Sequence, residues 1–340
     1  MDTSLADTWG LLGHGWAVDL LRQHIRGERL RHAYLFTGQR GVGRRTLALR
    51  FAQALNCPQP LAPAQPCRLC RTCKQIERMQ YADLTIVQAE QEGGTLKIDQ
   101  IRELQRHLSL TPYEGRYRLA LLLRFEEAHP SAANALLKTL EEPPPRVILL
   151  LTAESAETLL PTVVSRCEVL RLRPLPPDSA AEGLQTGWGL PPDEARLLAH
   201  IANGRPGFAL TLHQDAARLE QRTHWLDRLG ELLPANRVER FAWAETTAKD
   251  KDTLQHLLLT WLSYWRDVML AVSDPARTQT AAANLDRAAE IAALASRLDL
   301  PSAHRSVAAL QRTLALLDKN VNARLALEVL MLDLPRLRLT

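Results

Sequence analysis

The glycine-rich segment GQRGVGRRT, at residues 38–46, is the feature that most constrains how this chain folds. The apolar run AYLFT leads into it with the character of a strand, and Leu47, Phe51 and Leu55 follow it at helical spacing. Strand, glycine loop and helix in this order form the context of a phosphate-binding loop, whose backbone N–H groups cradle phosphates. A glycine-rich turn without a ligand is the alternative, and the flanking pattern argues against it. The segment therefore predicts a P-loop fold.

The same loop lacks two side chains that a working P-loop uses. In the pattern G-x-x-x-x-G-K-[ST], the Lys reaches the β- and γ-phosphates and the Ser or Thr hydroxyl ligates Mg²⁺. Gly38 and Gly43 hold the glycine positions, but Arg44 replaces the Lys and Arg45 replaces the hydroxyl residue. Thr46 comes one residue late, and because a helix turns about 100° per residue its hydroxyl should point away from the metal. We therefore expect a nucleotide-binding architecture without effective ATP and Mg²⁺ binding.

Four of the five cysteines, Cys57, Cys67, Cys70 and Cys73, follow the spacing C-x₉-C-x₂-C-x₂-C. Closely spaced cysteines can turn their thiolates toward one ion, and four thiolates complete the tetrahedral shell of a structural Zn²⁺. The proline-rich stretch between the first two suits an excursion from the domain. Disulfides or separate core thiols are the alternatives, and disulfides are uncommon in the cytosol. We interpret the fifth cysteine, Cys167, as a small buried hydrophobe.

Composition narrows the class of protein. The chain has 340 residues, of which 46% are hydrophobic and 24% charged, as in a soluble globular protein of two or three domains. A formal net charge of +4 permits contact with nucleic acid but does not argue for it. The sequence shows neither an N-terminal signal pattern nor an apolar stretch of membrane-spanning length. We therefore expect a cytoplasmic protein with no membrane partner.

Strand-like apolar runs alternate with amphipathic helical stretches over the first half of the chain. Besides the run before the glycine loop, the strand-like segments are residues 84–87, 118–123, 147–152 and 168–172. This alternation predicts an α/β domain with a parallel sheet covered by helices. Ligands of such sheets bind at the carboxyl ends of the strands.

Polar residues end two of these predicted strands. Glu126 and Glu127 follow one of them, where acidic residues beside a P-loop hold Mg²⁺ and polarise the attacking water. The alternative is that the two carboxylates form a solvated start to the next helix. Thr152 ends the run ILLLT, either placed to touch a γ-phosphate or as an ordinary strand-end threonine. The candidate nucleotide-site residues are Gly38, Gly41, Gly43, Arg44, Thr46, Glu126, Glu127 and Thr152.

Four segments together carry a resemblance to a known family. They are HAYLFTG at residues 32–38, the four-cysteine insert, NALLKTLEEPP at 134–144 and the Ser-Arg-Cys triplet at 165–167. In their order and spacing the chain resembles the clamp-loader subunits of bacterial DNA polymerase III, within the AAA+ family. The resemblance covers roughly residues 10 to 210 and is closest to the delta-prime type, with the ATP-binding gamma and tau subunits as paralogues.

The resemblance implies an architecture and a set of partners. It implies an AAA+ P-loop domain at residues 1–175 with a zinc module at 57–73, a small helical lid at 176–210 and an all-α collar at 211–340. The collar would join five subunits into a ring with gamma/tau and delta subunits, and the ring would act on the sliding clamp and primed DNA at the nucleoid. The residues themselves predict only a helical bundle there, with Trp261 and Trp265 in the apolar core of a helix at 254–272.

The Ser-Arg-Cys triplet is intact, and the resemblance implies that Arg166 is an arginine finger acting on a neighbouring subunit. Phosphoryl transfer spreads negative charge over the γ-oxygens, and a guanidinium supplied in trans stabilises that charge. The alternative is a surface arginine that caps a strand. Arg166 is the candidate catalytic residue of the chain.

Departures from the family pattern favour a subunit that does not hydrolyse ATP itself. Besides Arg44 and Arg45, the sensor arginine of the lid is missing, because Gly207 stands where it aligns and Arg205 lies two positions early. The expected function is therefore a delta-prime-type subunit of the polymerase III holoenzyme. The alternatives are a gamma/tau-type ATPase motor with a variant P-loop and, ranked last, a zinc-dependent nucleic-acid binder. The last of these lacks stacking aromatics among residues 57–79.

Overall fold

A computed structural model of the chain describes residues 8–91, 93–275, 282–319 and 321–337. Within these ranges the chain forms two compact units. The first runs to Gly189 and also includes Arg205–Phe208, and the second comprises Leu190–Gly204 and continues from Ala209. No helix of the described ranges combines the length and apolarity needed to cross a bilayer.

The first unit is built on a five-stranded parallel sheet. Its strand order is β2-β3-β4-β1-β5, and every neighbouring pair is parallel. The strands are β1 (Ala33–Thr37), β2 (Leu84–Val87), β3 (Arg118–Leu122), β4 (Val147–Ala153) and β5 (Glu168–Arg171). The predicted parallel sheet is confirmed, with strand ends that differ from the predicted ones by at most one residue. Because β1 lies beside β4, and β4 beside β3, the segments that follow these three strands emerge at one edge of the sheet.

Helices cover both faces of this sheet. They are α1 (Gly15–Arg26), α2 (Arg44–Asn56), α3 (Arg71–Glu77), α4 (Ile98–Leu108), α5 (Pro130–Glu141) and α6 (Pro161–Val164). The next helix, α7 (Pro177–Trp188), contributes to neither apolar cluster of the sheet. The central strand β1 shows why both faces need covering: Tyr34 and Phe36 belong to one apolar cluster, and Ala33 and Leu35 to the other. Successive side chains of a strand point to opposite faces, so a strand that is apolar throughout is stable only between two layers.

The second unit is helical in its described part. Its helices are α8 (Pro192–Ile201), α9 (Pro206–Gln214, which begins in the first unit), α10 (Ala216–Leu232), α11 (Arg237–Thr247), α12 (Lys251–Ser273), α13 (Ala288–Ala295), α14 (Leu300–Asp318) and α15 (Ala323–Asp333). The predicted apolar stripe lies on α12, where Trp261 and Trp265 are fully buried. The Trp261 ring stacks on that of Trp243 at a centroid distance of 5.0 Å. Both tryptophans are therefore core residues, as predicted.

The chain divides into two compact units, whereas the sequence predicts three segments. The predicted lid at residues 176–210 contains α7, which belongs to the first unit, and α8, which belongs to the second. The boundaries of lid and collar accordingly remain predictions.

Candidate functional site

The phosphate loop joins β1 to α2 in a backbone shape that its glycines make possible. Gly38, Gly41 and Gly43 have φ angles of 141°, 83° and 111°, which side-chain-bearing residues rarely adopt. A Cβ added at Gly38 would lie 2.4 Å from the carbonyl oxygen of Leu172, and one at Gly41 would lie 2.7 Å from the backbone nitrogen of Phe208. The loop is therefore fixed by close backbone approach on two sides.

Arg44 turns its side chain into the protein at the start of α2, leaving 9% of the residue exposed. Its Nη1 lies 3.9 Å from Oε1 of Glu126, the acidic residue that follows β3. Burial lowers the pKa of Arg44, and the charges of Glu126 and Glu154 oppose that shift. Burial likewise raises the pKa of Glu126, partly opposed by the Arg44 charge. The cation at the lysine position of the loop is thus compensated by carboxylates of the same chain.

The next two residues of α2 face the other way. Arg45 and Thr46 are both exposed, whereas Arg44 before them and Leu47 after them are buried. The helical turn therefore carries the Thr46 hydroxyl to the outer side of α2, the direction that the helical spacing predicts.

Glu127 and Thr152 both make hydrogen bonds to the turn that follows β3. Oε1 of Glu127 accepts hydrogen bonds from Nε of Arg124 at 2.8 Å and from the backbone N–H of Gly93 at 3.1 Å. Oγ1 of Thr152 accepts from the backbone N–H of Arg124 at 3.0 Å. The acidic pair lies in a short 3₁₀ turn rather than at the start of α5. The two carboxylates therefore separate: Glu126 faces Arg44, and Glu127 braces the loop after β3.

The segment Arg205–Phe208 packs against the phosphate loop within the first unit. The backbone N–H of Gly207 donates to the carbonyl oxygen of Gly41 at 2.8 Å, and a Cβ at Gly207 would lie 2.9 Å from that same oxygen. No side chain, arginine included, fits at position 207 unless the loop moves. The Arg205 guanidinium lies 4.7 Å from the ring centroid of Phe208, and its Nη1 is 3.5 Å from the carbonyl oxygen of Arg40. Arg205 therefore lies beside the loop, although its sequence position differs from that of the expected sensor.

Arg166 follows α6 and makes its contacts away from the phosphate loop. Its Nη2 lies 2.7 Å from Oε1 of Glu141 at the end of α5, and its Nη1 donates to the carbonyl oxygen of Thr162 at 3.0 Å. The side chain is 35% exposed. The guanidinium is thus held at the surface by one carboxylate and one carbonyl, with part of it accessible to another molecule.

The four predicted cysteine ligands converge. Their sulfur atoms all lie within 4.8 Å of one another, with Cys57 and Cys67 3.6 Å apart and Cys67 and Cys73 3.9 Å apart. Zn–S bonds of about 2.3 Å in a tetrahedron place sulfurs about 3.8 Å apart. Sγ of Cys67 accepts the backbone N–H of Cys70, and Sγ of Cys70 accepts that of Cys73, at 3.3 and 3.4 Å. The cluster could therefore hold a metal ion.

The charge state of Cys67 suits such a role. Burial tends to raise the pKa of its thiol, but hydrogen bonds from the backbone N–H groups of Cys70 and Leu69 outweigh it and lower the pKa of Cys67 to about 7. Metal binding requires thiolates, so these donors favour the ligating form of Cys67, whereas burial raises the pKa of Cys57 and Cys73 and favours their neutral thiols. Cys167 lies apart from the cluster, partly buried against the core of the first unit.

Three residues near these sites were not predicted from the sequence. The carbonyl oxygen of Glu154 accepts the backbone N–H of Gly38 at 3.1 Å, and its position after β4 parallels that of Glu126 after β3. Nε2 of the buried His14 lies 3.0 Å from the carbonyl oxygen of Val42 in the loop, a contact with no local sequence signal. Glu141, the partner of Arg166, sits in the segment NALLKTLEEPP that carries the family resemblance, but only the fold brings the two together.

Two family models match most of the chain. One described as "DNA polymerase III, delta subunit" matches residues 13–176, and one described as "DNA polymerase III, delta subunit, C terminal" matches residues 216–335. Both halves of the chain are thereby assigned to the same kind of protein.

Individual relatives agree with these matches. The DNA polymerase III subunit delta' of Bacillus subtilis is 35% identical over 186 residues, 55% of this chain and 55% of that protein. The subunit delta' of Pseudomonas aeruginosa is 36% identical over 208 residues, 59% of this chain and 61% of that protein. The tau/gamma subunit of Haemophilus influenzae is 33% identical over 217 residues, 62% of this chain and 31% of that protein. The similarity thus spans between 55% and 61% of the delta' relatives' own length.

Proposed function

Because this chain belongs to the family of DNA polymerase III clamp-loader subunits, which includes delta' and gamma/tau proteins, we propose that it is a delta-prime-type subunit that does not hydrolyse ATP itself. In this role it supports a ring with gamma/tau and delta subunits and supplies Arg166 to the ATP site of a neighbour. The ring then loads the sliding clamp onto primed DNA. The chain would act in the cytoplasm, at the replisome.

The Arg44–Glu126 pair is the observation that carries this proposal. A working loop presents a free Lys to the β- and γ-phosphates, while a hydroxyl and a carboxylate hold Mg²⁺. Here the cation and the carboxylate are 3.9 Å apart and compensate each other, and Arg45 stands at the hydroxyl position. A bound triphosphate would compete with Glu126 for Arg44, and without Mg²⁺ it would bring phosphate oxygens close to a carboxylate of the same charge. These features support a loop that is closed on itself rather than ready for nucleotide.

The setting of Arg166 supports the second half of the proposal. Its guanidinium is partly exposed and is held by Glu141, so its direction is set before any partner arrives. A guanidinium supplied in trans accelerates phosphoryl transfer in related NTPases by about 10³- to 10⁵-fold. A pre-oriented arginine loses less side-chain entropy when it contacts a neighbour's γ-phosphate.

The cysteine cluster completes the proposed role as a structural element. We assign Zn²⁺ to Cys57, Cys67, Cys70 and Cys73 because four thiolates at these separations match its tetrahedral coordination. Four protein ligands leave no open position for catalysis. The ion would fix the excursion of residues 57–73 to the end of α2 and the start of α3.

Calorimetric titration of the full chain with a non-hydrolysable ATP analogue and Mg²⁺ tests the closed loop. We expect no detectable binding by the natural chain. The double variant Arg44→Lys/Arg45→Thr, which restores the two missing groups, serves as the comparison and should regain some affinity. Tight, Mg²⁺-dependent binding by the natural chain would instead favour the second candidate, a gamma/tau-type motor. That candidate draws support from the 33% identity to a tau/gamma subunit.

ATP turnover of the assembled ring tests Arg166. In a ring built with ATP-hydrolysing subunits, Arg166→Ala should leave assembly intact and abolish hydrolysis at the one site it faces. Arg171→Ala is the matched control. Arg171 is an exposed arginine on β5, the strand that follows Arg166, and it pairs with Glu157 at 3.2 Å. Equal turnover by the two variants would refute the finger assignment.

A further inference from the structure

A basic groove lies on the outer side of the cysteine cluster. We define it by the exposed cations Arg71, Lys74 and Arg78, with Leu69, Gln75 and Gln80 completing its walls. It is open to solvent, with a volume of about 390 Å³. The opposite side of α3 is buried through Cys73 and Ile76, so the helix separates the cluster from the groove.

The three cations of the groove have no carboxylate within ion-pair distance in the described part of the chain. Glu77, the acidic residue of α3, is bonded to Arg50 instead, at 3.0 Å. Like charges at i,i+3 and i,i+4 of a helix repel, and α3 is short. The arrangement therefore destabilises the free helix slightly and would gain from an anion supplied by another molecule.

The walls of the groove indicate which kind of anion it suits. Leu69 is 76% exposed at its rim, which offers an apolar contact beside the three charges. Single-stranded nucleic acid is held by aromatic side chains that stack on bases, and residues 57–79 contain none.

From these observations we propose that the basic groove binds an acidic peptide segment that carries a large apolar residue, presented by a partner protein. The carboxylates pair with Arg71, Lys74 and Arg78, and the apolar side chain packs on Leu69. The competing account is internal: a tetrathiolate metal site carries net negative charge, and the three cations would merely balance it. The two accounts differ in what neutralising the cations does to metal content.

The test uses the full, zinc-loaded chain and a fluorescently labelled synthetic peptide of Asp and Glu residues with one central Leu. Fluorescence anisotropy should show saturable binding. The triple variant Arg71→Gln/Lys74→Gln/Arg78→Gln should weaken it by about tenfold or more, because each exposed ion pair contributes modestly. Leu69→Ser, and separately a peptide with Ser in place of Leu, should each weaken binding by about threefold to fivefold.

A charge-matched control separates local pairing from overall charge. Arg173, Arg196 and Arg237 are exposed and lie outside the groove, so replacing all three with Gln lowers net charge by the same amount. This control should bind the peptide within twofold of the natural chain. Equal weakening by the control triple would overturn the proposal.

Measurements of zinc content and of oligonucleotide binding distinguish the acidic-peptide proposal from the internal account and from nucleic-acid binding. The groove triple should retain its zinc, measured by atomic absorption, while losing peptide affinity. Loss of zinc from that variant would support the internal account and overturn the proposal, as would absence of saturable binding by the natural chain. Oligo-dT of equal charge should bind more weakly than the acidic peptide, and tighter binding of oligo-dT would assign the groove to nucleic acid instead.

Discussion

Arg240 holds two helix ends together in the core of the second unit. It is buried on α11 and donates five hydrogen bonds of 2.6 to 3.0 Å, all to backbone carbonyl oxygens. Burial lowers the pKa of Arg240, with a smaller contribution from the charge of Arg336. Carbonyls that end a helix carry partial negative charge and lack intrahelical donors, which is why they can hold a cation without a carboxylate. The acceptors are Leu232, Leu233, Met331, Leu334 and Pro335.

Replacing Arg240 with Met keeps the aliphatic stem and removes every donor. Each carbonyl oxygen left without a donor in the interior costs about 1 kcal/mol or more. Part of this cost is offset because the variant no longer buries the charged guanidinium. We expect a loss of about 3–4 kcal/mol in the free energy of unfolding of this unit. With a urea m-value of about 2 kcal/mol/M, the midpoint should fall by about 1.5–2 M. Arg240→Lys keeps the charge but has fewer donors, so its midpoint should lie between the two.

Urea unfolding followed by tryptophan fluorescence measures this effect, because Trp243, Trp261 and Trp265 lie in the same apolar core. Arg237→Met is the matched control: it is an exposed arginine at the start of the same helix and should change stability by less than about 0.5 kcal/mol. A midpoint for Arg240→Met within about 0.5 M of the natural chain would refute the reasoning, since the five bonds would then contribute almost nothing net.

Three further predictions concern the first unit. The double variant Cys70→Ser/Cys73→Ser should release about one zinc per chain and lower the midpoint of thermal unfolding. The metal assignment would be contradicted if the natural chain proved as stable without metal as with it. Although burial opposes it, three backbone N–H groups at 2.6 to 2.8 Å and a guanidinium at 3.3 Å lower the pKa of the Asp83 carboxyl below its usual range. The stability that the Asp83 carboxylate contributes is therefore full above about pH 5 and is lost as pH falls through its folded-state pKa. The urea midpoint of Asp83→Asn should fall less steeply with decreasing pH than that of the natural chain. Equal dependence of the two midpoints on pH would refute this. Glu141→Ala should remove the contact that orients the Arg166 guanidinium and lower the ATP turnover of the ring by about twofold to tenfold, less than Arg166→Ala does. Equal losses in the two variants would mean that Glu141 has a role beyond orienting Arg166.

The local features of the first unit were predictable because each depends on neighbours in sequence. Strand β1 is apolar throughout because it lies between two layers, and Gly38 and Gly41 are glycines because the backbone there has positive φ and close neighbours. The spacing of Cys67, Cys70 and Cys73 similarly encodes a turn whose backbone N–H groups meet sulfur. Strand, loop, helix and cysteine cluster could therefore be assigned from the residues alone.

Adjacent residues with the same chemistry could not be assigned in this way. Glu126 and Glu127 are equivalent candidates in sequence, yet one faces Arg44 and the other braces Arg124 and Gly93. In a tight turn, the side chains of successive residues point in different directions. The conformation of the turn after β3 therefore decides which of the two carboxylates faces Arg44.

The sequence by itself determined the kind of fold, the two arginines that depart from the phosphate-loop pattern and the grouping of four cysteines, because these depend on residue identity and short spacing. The tertiary structure alone decided which groups meet: Arg44 with Glu126, Arg166 with Glu141, and Gly207 against Gly41. Each of these contacts joins segments far apart in the chain, and the strand order β2-β3-β4-β1-β5 is what brings the ends of β3, β4 and β1 to one edge. The interaction energy of two charges depends on their distance in space, so these ion pairs could be identified only from the tertiary structure.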